Sequence, residues 1–253
     1  NATQLLVKGL LRLEYRGYDS SGVVVKNGTL ESFKDIGKIS EMASSLPSLQ
    51  GSIGIAHTRW ATHGAVTKEN AHPHLSNDGK VAIVHNGIIQ NSEMLRKRLK
   101  KLGVSLNSET DSEIFCHFIS MDLQQGKTPM EALRNVLSMV RGTWGLCVLF
   151  LEYDFVLCAR NGSPLIVGRG KNEMFISSDP HAIREHTDQL VALEDGQIAK
   201  VDSRDVQVMQ IDGRAVESSY LNLEEEWGES ELGDYPHFML KEIHEQAQSL
   251  QHC

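Results

Sequence analysis

Three short segments gather the side chains with chemical potential: His57-Thr58-Arg59-Trp60-Ala61-Thr62-His63-Gly64, Asn70-Ala71-His72-Pro73-His74 and His85-Asn86-Gly87. Five of the 11 histidines fall between residues 57 and 85, a clustering that needs an explanation. One reading is a metal site, because His72-x-His74 on an extended segment could supply two ligands. Against it, the sequence has no HExxH and no obvious carboxylate to complete the set. A second reading makes the histidines hydrogen-bonded structural residues around a loop. A third makes the region a site for a small zwitterion. Arg59 could clamp a carboxylate through two parallel hydrogen bonds, which a lysine cannot reproduce. Asp111, beside a helix start, could accept hydrogen bonds from an ammonium group. Asn86 and Gly87 follow directly after a strand, where a side-chain amide and a backbone N–H can aim at one oxygen, as an oxyanion hole requires. The same pair could equally form an ordinary Asn-Gly turn. Residue types and spacing leave these readings open.

Composition narrows the class. At 253 residues the chain is one large domain or two small ones. Its apolar content is ordinary, no run of about 18 uncharged apolar residues occurs, and no membrane span is expected. The apolar opening, Leu5–Leu13, carries Lys8 and Arg12 and lacks a small-residue cleavage site, so it does not read as a signal peptide. A net charge of −8 argues against non-specific nucleic-acid binding. The one basic run, Arg96-Lys97-Arg98-Leu99-Lys100-Lys101, reads as a solvated helix face with Met94, Leu95, Leu99 and Leu102 turned inward. Cys116, Cys147, Cys158 and Cys253 form no CxxC pair and read as reduced thiols of a cytoplasmic protein. No cofactor is called for.

The elements that must position these residues follow from periodicity and punctuation. Residues 2–16 are helical, with Leu6, Leu10 and Leu13 on one face, Gly17 as the stop, and Asn1 and Gln4 at capping-box spacing. An α-amine at Asn1 would face the positive end of the helix dipole, which suggests removed upstream sequence. Asn27-Gly28 joins residues 22–26 and 29–34 into a hairpin, since both turn positions tolerate positive φ. Residues 52–56 and 80–85 read as strands. Helices are expected at 92–102, 111–124 and 129–140, the last two with capping boxes at Thr110/Glu113 and Thr128/Glu131. From residue 144 the period becomes two, giving strands at 144–151, 154–160, 165–168, 173–177, 189–193, 197–201 and 206–211, with turns at Asp195-Gly196 and Asp212-Gly213. Strands, helices and strands again indicate stacked sheets with helices outside. Residues 1–221 are expected to form one domain. Residues 222–253 follow as an acidic linker and a last helical segment, 236–250.

Several separated motifs carry a family resemblance. Leu13-Glu14-Tyr15-Arg16-Gly17-Tyr18-Asp19-Ser20, the 57–64 octet, residues 70–74, His85–Ile89 and Ser108-Glu109-Thr110-Asp111 together resemble the class II glutamine amidotransferase (glutaminase) domain of the glucosamine-6-phosphate synthases. Arg160-Asn161-Gly162-Ser163-Pro164-Leu165 and Phe175–Asp179 extend the match, which runs from about residue 5 to about 246. The resemblance implies an α+β fold of the N-terminal-nucleophile type: an αββα sandwich of two antiparallel sheets flanked by helices. It implies that Arg59 binds the carboxylate of glutamine, Asp111 its α-amino group, and that Asn86 and Gly87 stabilise the tetrahedral oxyanion. Trp60, Thr62 and His63 would lie on a loop closing over glutamine, with His72 close by and Arg16 near the nucleophile. In the full-length family members the ammonia passes to fructose 6-phosphate in an isomerase half, which also carries most of the homodimer contacts.

In that family the nucleophile is an N-terminal cysteine whose own α-amine, titrating near 7.7–8.0, can serve as base. Here residue 1 is asparagine, and the match places it roughly ten residues after the expected cysteine, so the first strand is expected to be missing. Cys116 falls in a helical pattern, Cys147 and Cys158 lie in apolar strands, and Cys253 has no paired base. The expectation is therefore an inactive fragment of a glutaminase. Its rival is a non-catalytic glutamine-binding module that has shed its nucleophile.

Overall fold

Helix α1 (Ala2–Leu13) starts where the Asn1 side chain accepts from Thr3 N at 3.2 Å, and tightens after Leu13 into a 3-10 turn, Glu14–Arg16. The cap falls on Thr3 and not in a box with Gln4. The computed structural model describes residues 1–60, 64–222, 235, 240, 241 and 243–246. The chain divides into two units, Asn1–Leu221 and Asn222–Cys253.

In the first unit, β1 (Ser20–Asn27) and β2 (Thr29–Ile36) form the expected hairpin. Gly28 alone takes positive φ (+69°), while Asn27 stays extended as the last residue of β1. Helix α2 (Ile39–Ser45) leads to β3 (Gly54–Arg59), then β4 (His74–Leu75), β5 (Val81–Ile89), α3 (Ser92–Lys101), α4 (Ile114–Gln124) and α5 (Pro129–Met139). The Thr128/Glu131 box at the start of α5 forms as expected. The remaining strands are β6 (Gly142–Phe150), β7 (Val156–Asn161), β8 (Ile166–Arg169), β9 (Met174–Ser177), β10 (Gln189–Ala192), β11 (Gln197–Val201), β12 (Val206–Gln210) and β13 (Ala215–Val216).

Strand pairing is antiparallel in every sheet. The central sheet runs β13-β12-β11-β7-β6-β5-β4, a second runs β2-β1-β3, and β8 joins β9 and β10 in a third. Alternation along the central strands supplies two cores. On one face Ile83, Leu146, Val148 and Leu157 meet Leu95, Phe115 and Leu133 of α3, α4 and α5. On the other, Val84, Cys147 and Ala199 meet Val24 and Ile55 of the second sheet and Val167 and Val191 of the third. Val23 and Val25, pointing the opposite way from Val24, bury with Leu6 of α1 and Leu49, and Leu10 of α1 packs on Ile39 and Met42 of α2. The layering is thus helix, sheet, sheet, helix, but the second β layer is split. Between its parts lies a cavity of about 510 Å³ lined by α1, β3 and β9, with Val84 and Cys147 of the central sheet and with His57 and Asn86.

Other expectations need correction. β3 starts later than residue 52 and runs on through His57 to Arg59, so the octet opens on a strand and not in a loop. β5 likewise continues through Asn86 and Gly87, which lie within the strand. On α3 only Leu95 and Leu99 form the inward stripe, while Met94 (59% exposed) and Leu102 (53%) face outward. Glu113 and Thr110 form no capping box: Thr110 bonds His74, and Glu113 bonds the backbone ahead of its helix. Among the described residues no helix is long and apolar enough to cross a membrane. In the second unit residues 240, 241 and 243–246 are helical, Tyr235 stacks on His244 at 5.6 Å, and of the linker expected at 222–234 residues 223–234 lie outside the described residues.

Candidate active site

The first motif is moored to β3. Gly17 O accepts from Thr58 Oγ1, Asp19 N donates to Arg59 O at 3.1 Å, and Glu14 Oε1 accepts from Ile39 N at 2.8 Å. Tyr15 Oη donates to Asp179 Oδ2 at 3.0 Å, joining the first motif to the Phe175–Asp179 motif. Arg16 closes the 3-10 turn, and the expected placement of its side chain lies outside the described ones.

Arg59, the last residue of β3, is buried, and its Nη1 donates to Ala65 O at 3.3 Å. Burial pulls its pKa below the ordinary value, while Asp19 and Asp111 oppose that and favour the charged form. Asn70 Nδ2 donates to the same Ala65 oxygen at 2.9 Å, and Asn70 Oδ1 accepts from Glu109 N at 2.8 Å. The backbone after the octet is thereby fastened to the segment that carries Asp111. Trp60 is 51% exposed and meets Tyr18 edge-on at 5.4 Å. Thr62 and His63 lie outside the described residues.

Asp111 is buried, with Oδ2 accepting from Ile89 N at 2.7 Å and Oδ1 lying 3.2 Å from Ser112 Oγ. Two side chains hold its segment. Arg96 of α3 straddles it, donating to Thr110 O at 2.7 Å and Ser108 O at 2.6 Å. Glu113 accepts from Asn107 N and Ser108 N at 2.7 and 2.8 Å and from His117 Nε2 at 3.2 Å. Burial pushes the Glu113 carboxyl up, but the bonds from His117, Asn107 and Ser108 outweigh it and hold it at about 2. Arg96 belongs to the basic run read as a solvated face; one member of that run is in fact turned onto the site.

The histidines form a neutral stack. His57 and His72 rings lie 4.4 Å apart at 33°, and His72 and His74 lie 4.5 Å apart at 66°. His74 Nε2 pairs with Thr110 Oγ1 at 3.0 Å, and His57 Nε2 with Asn86 Oδ1 at 2.9 Å. Burial lowers the pKa of His57 to about 4, of His74 to about 3, and depresses His72 and His85. Among the described residues no group of three or more His, Cys, Asp or Glu converges as a metal set would. Gly87 adopts φ +135°, and a Cβ there would lie 2.2 Å from Thr143 O. His85 on β5 bonds Ser112 Oγ at 2.8 Å through Nδ1 and Thr143 O at 3.2 Å through Nε2.

Arg59 and Asp111 are therefore in one electrostatic site, Asn86 reaches it through the His57–His72–His74 stack, and Trp60 stands at an exposed edge. Sequence reading did not single out His57 or Arg96 as site residues. For His57 a signal existed: carrying the strand three residues further, to Arg59, puts His57 and Arg59 on the same face. For Arg96 there was none, because its role rests on two carbonyls fixed by tertiary packing. Cys116, Cys147 and Cys158 are buried and their thiols are pushed up by burial, Cys147 to about 12. None offers a thiolate nucleophile at neutral pH; Cys253 lies outside the described residues.

Comparison with known proteins bears on the fold and the family. A glutamine phosphoribosylpyrophosphate amidotransferase from B. subtilis, solved with ADP and GMP, superposes with a TM-score of 0.71 at 25% identity, covering 82% of this chain and 46% of that one. Glutamine–fructose-6-phosphate aminotransferase (isomerizing) of Pseudomonas aeruginosa is 44% identical over 99% of this chain and 42% of its own length. The enzyme of the same name from Thermococcus kodakarensis is 42% identical over 98% and 42%. The chain thus spans about two-fifths of the length of these relatives. Residues 57–185, which hold the octet, the histidine stack, Asn86-Gly87 and Asp111, match the family described as glutamine amidotransferase domain, and the chain belongs to that family.

Proposed function

We propose that this chain is the glutamine-hydrolysing part of an enzyme that converts fructose 6-phosphate and glutamine to glucosamine 6-phosphate and glutamate. The observation that carries the reading is a buried Arg59 within electrostatic reach of a buried Asp111, with Asn86-Gly87 on β5 of the facing sheet. Arg59 would hold the α-carboxylate of glutamine and Asp111 its ammonium group. The Asn86 side-chain amide and the Gly87 N–H would meet the amide oxygen as it becomes negative. Trp60, with Thr62 and His63, would belong to the loop that covers the bound amino acid, and His72 would support it from behind. The cavity between β3 and β9 ends at His57 and Asn86. It is the place where a strand bearing a cysteine nucleophile would bring its sulfur to the γ-carboxamide. Ammonia transfer to fructose 6-phosphate, and any homodimer, would belong to the sequence that the longer relatives have in addition.

A second reading is a glutamine-binding module without catalysis: the three described cysteines are buried, with thiols pushed up by burial, and cannot replace a nucleophile, so the readings divide on whether a cysteine precedes residue 1. The test compares a polypeptide of residues 1–253 with one in which a cysteine-led segment precedes residue 1, measuring glutamate release. Only the second should turn over. In it, Arg59→Ala should mainly raise KM, because the carboxylate does not change charge in the reaction. Asn86→Ala should lower kcat by on the order of 10²–10³, or about 3–4 kcal/mol, with little change in KM. Near-normal kcat with a raised KM in folded Asn86→Ala protein would refute the oxyanion assignment.

A further inference from the structure

We infer that His57 is a positioning residue for this reaction: its neutral imidazole fixes which end of the Asn86 amide faces the substrate. The inference rests on the glutaminase reading and adds a residue to it. A side-chain amide has two ends of nearly the same shape, and only Nδ2 can donate to a developing oxyanion. Something must therefore hold Oδ1 elsewhere. His57 Nε2 lies 2.9 Å from Asn86 Oδ1, and a carbonyl oxygen can only accept, so Nε2 carries the proton. The opposite arrangement would place the proton on Nδ1. That atom is buried and has no partner, so the alternative tautomer would bury an orphaned N–H. A doubly protonated ring would meet the same penalty, in keeping with a pKa lowered to about 4.

The ring itself is fixed. His57 sits on β3 opposite Gly22 of β1, and His72 stacks on it at 4.4 Å. Gly22 makes that stacking possible, because a Cβ there would come within 2.3 Å of the His72 carbonyl oxygen. The His57–Asn86 bond also joins β3 of the second sheet to β5 of the central sheet, so the orientation of the amide depends on how the two β layers meet.

The experiment measures glutamine hydrolysis in the active polypeptide containing these residues, for His57→Phe, His57→Gln, Asn86→Ala and the double variant His57→Phe/Asn86→Ala. Removing the orienting bond should cost a fraction of what removing the donor costs, a kcat loss on the order of tenfold with KM little changed. His57→Gln, which restores an N–H donor, should recover most of it. Because His57 acts through Asn86, the double variant should be no slower than Asn86→Ala alone. Parental kcat in His57→Phe, or effects of the two substitutions that multiply, would overturn the proposal. Where His57→Phe does not fold, His57→Met replaces it, and equal activity of the Gln and Met variants would overturn it too. If Asn86→Ala itself leaves kcat intact, the oxyanion reading fails instead, and the two failures are told apart.

Discussion

Gly87→Ala adds one methyl group to the residue whose N–H is assigned to the oxyanion, without removing that N–H. The added Cβ would stand 2.2 Å from Thr143 O and 2.7 Å from Thr143 C, both backbone atoms of β6 that no rotamer change can move. The residue also holds φ +135°, which side-chain-bearing residues rarely adopt and which costs about 1–3 kcal/mol. Forcing Thr143 aside adds an overpacking cost of about 1–3 kcal/mol and disturbs the 3.2 Å bond that His85 Nε2 donates to the same oxygen. The two costs sum to about 2–6 kcal/mol, a large share of the roughly 5–15 kcal/mol by which domains are usually stable. Gly28→Ala is the control: φ is +69° there, but a Cβ meets nothing within 4 Å, so only the backbone cost of about 1 kcal/mol applies. Urea unfolding of both variants reads the stability difference, and glutamate release from folded Gly87→Ala reads the chemistry. Because the donor is displaced by an ångström or more, kcat should fall on the order of 10²-fold. A Gly87→Ala protein with the unfolding midpoint of the control and kcat within a few-fold of the parent would refute the argument.

Two further outcomes follow from the charges. Asp111→Asn keeps an oxygen that can accept from Ile89 N but removes the negative charge facing the ammonium group, and also removes one of the charges supporting Arg59. KM for glutamine should rise on the order of 10²-fold with a smaller change in kcat; a kcat loss at unchanged KM would reject the assignment. Acid should weaken the fold in two windows. His57 and His74, lowered to about 4 and about 3 from 6.5 by burial, stay neutral when folded and protonate when unfolded, so stability is full above pH 6.5 and falls as pH drops below it. At pH 5.5 each contributes a loss of about 1.4 kcal/mol, to be read by urea unfolding at pH 7.5 and 5.5. Asp78 and Glu113 are held at about 2, against burial in each case, by hydrogen bonds, so their contribution is lost only as pH falls from about 4 to 2. Equal stability at pH 7.5 and 5.5 would show that the histidines are not held neutral.

What could be read from the sequence was what local rules decide. The Thr128/Glu131 cap, the hairpin at Gly28, and the turns at Gly196 and Gly213 each depend on a few neighbouring residues and came out as expected. The strand ends at Arg59 and Ile89 did not, because polar residues interrupt the apolar alternation where β3 and β5 enter the site. The polar residues of the candidate site break the pattern that announces a strand, so by pattern alone each strand stops where the site starts. The Thr110/Glu113 spacing misled for a related reason. Both side chains have stronger tertiary partners, in His74 and in the amides of Asn107 and Ser108, than the helix end could offer. The split in the second β layer could not be read at all, since it is a relation between β3 and β9, more than a hundred residues apart.

The two ends of the candidate substrate are held by separate supports that share one link. The Arg59 end is set by the close of β3 and by Ala65, and the Asp111 end by Arg96, Glu113 and the N–H of Ile89. Asn70 bridges them, donating to Ala65 O and accepting from Glu109 N. Gly64 accommodates the bridge at φ +78°, where a Cβ would lie 2.9 Å from Asn70 Nδ2. An α-amino acid presents its carboxylate and ammonium at a fixed separation of a few atoms, so a site for one must hold its cation and anion at a matching distance. Hydrogen bonds running directly from one support to the other do this better than two independent loops could, because each side's motion is transmitted to its partner. Asn86, the proposed oxyanion donor, is fixed differently, by a bond between the two β layers to His57. In the proposed site, recognition of the amino acid and stabilisation of the reacting oxygen would thus rest on different structural joints, so that changes at one should raise KM while changes at the other should lower kcat.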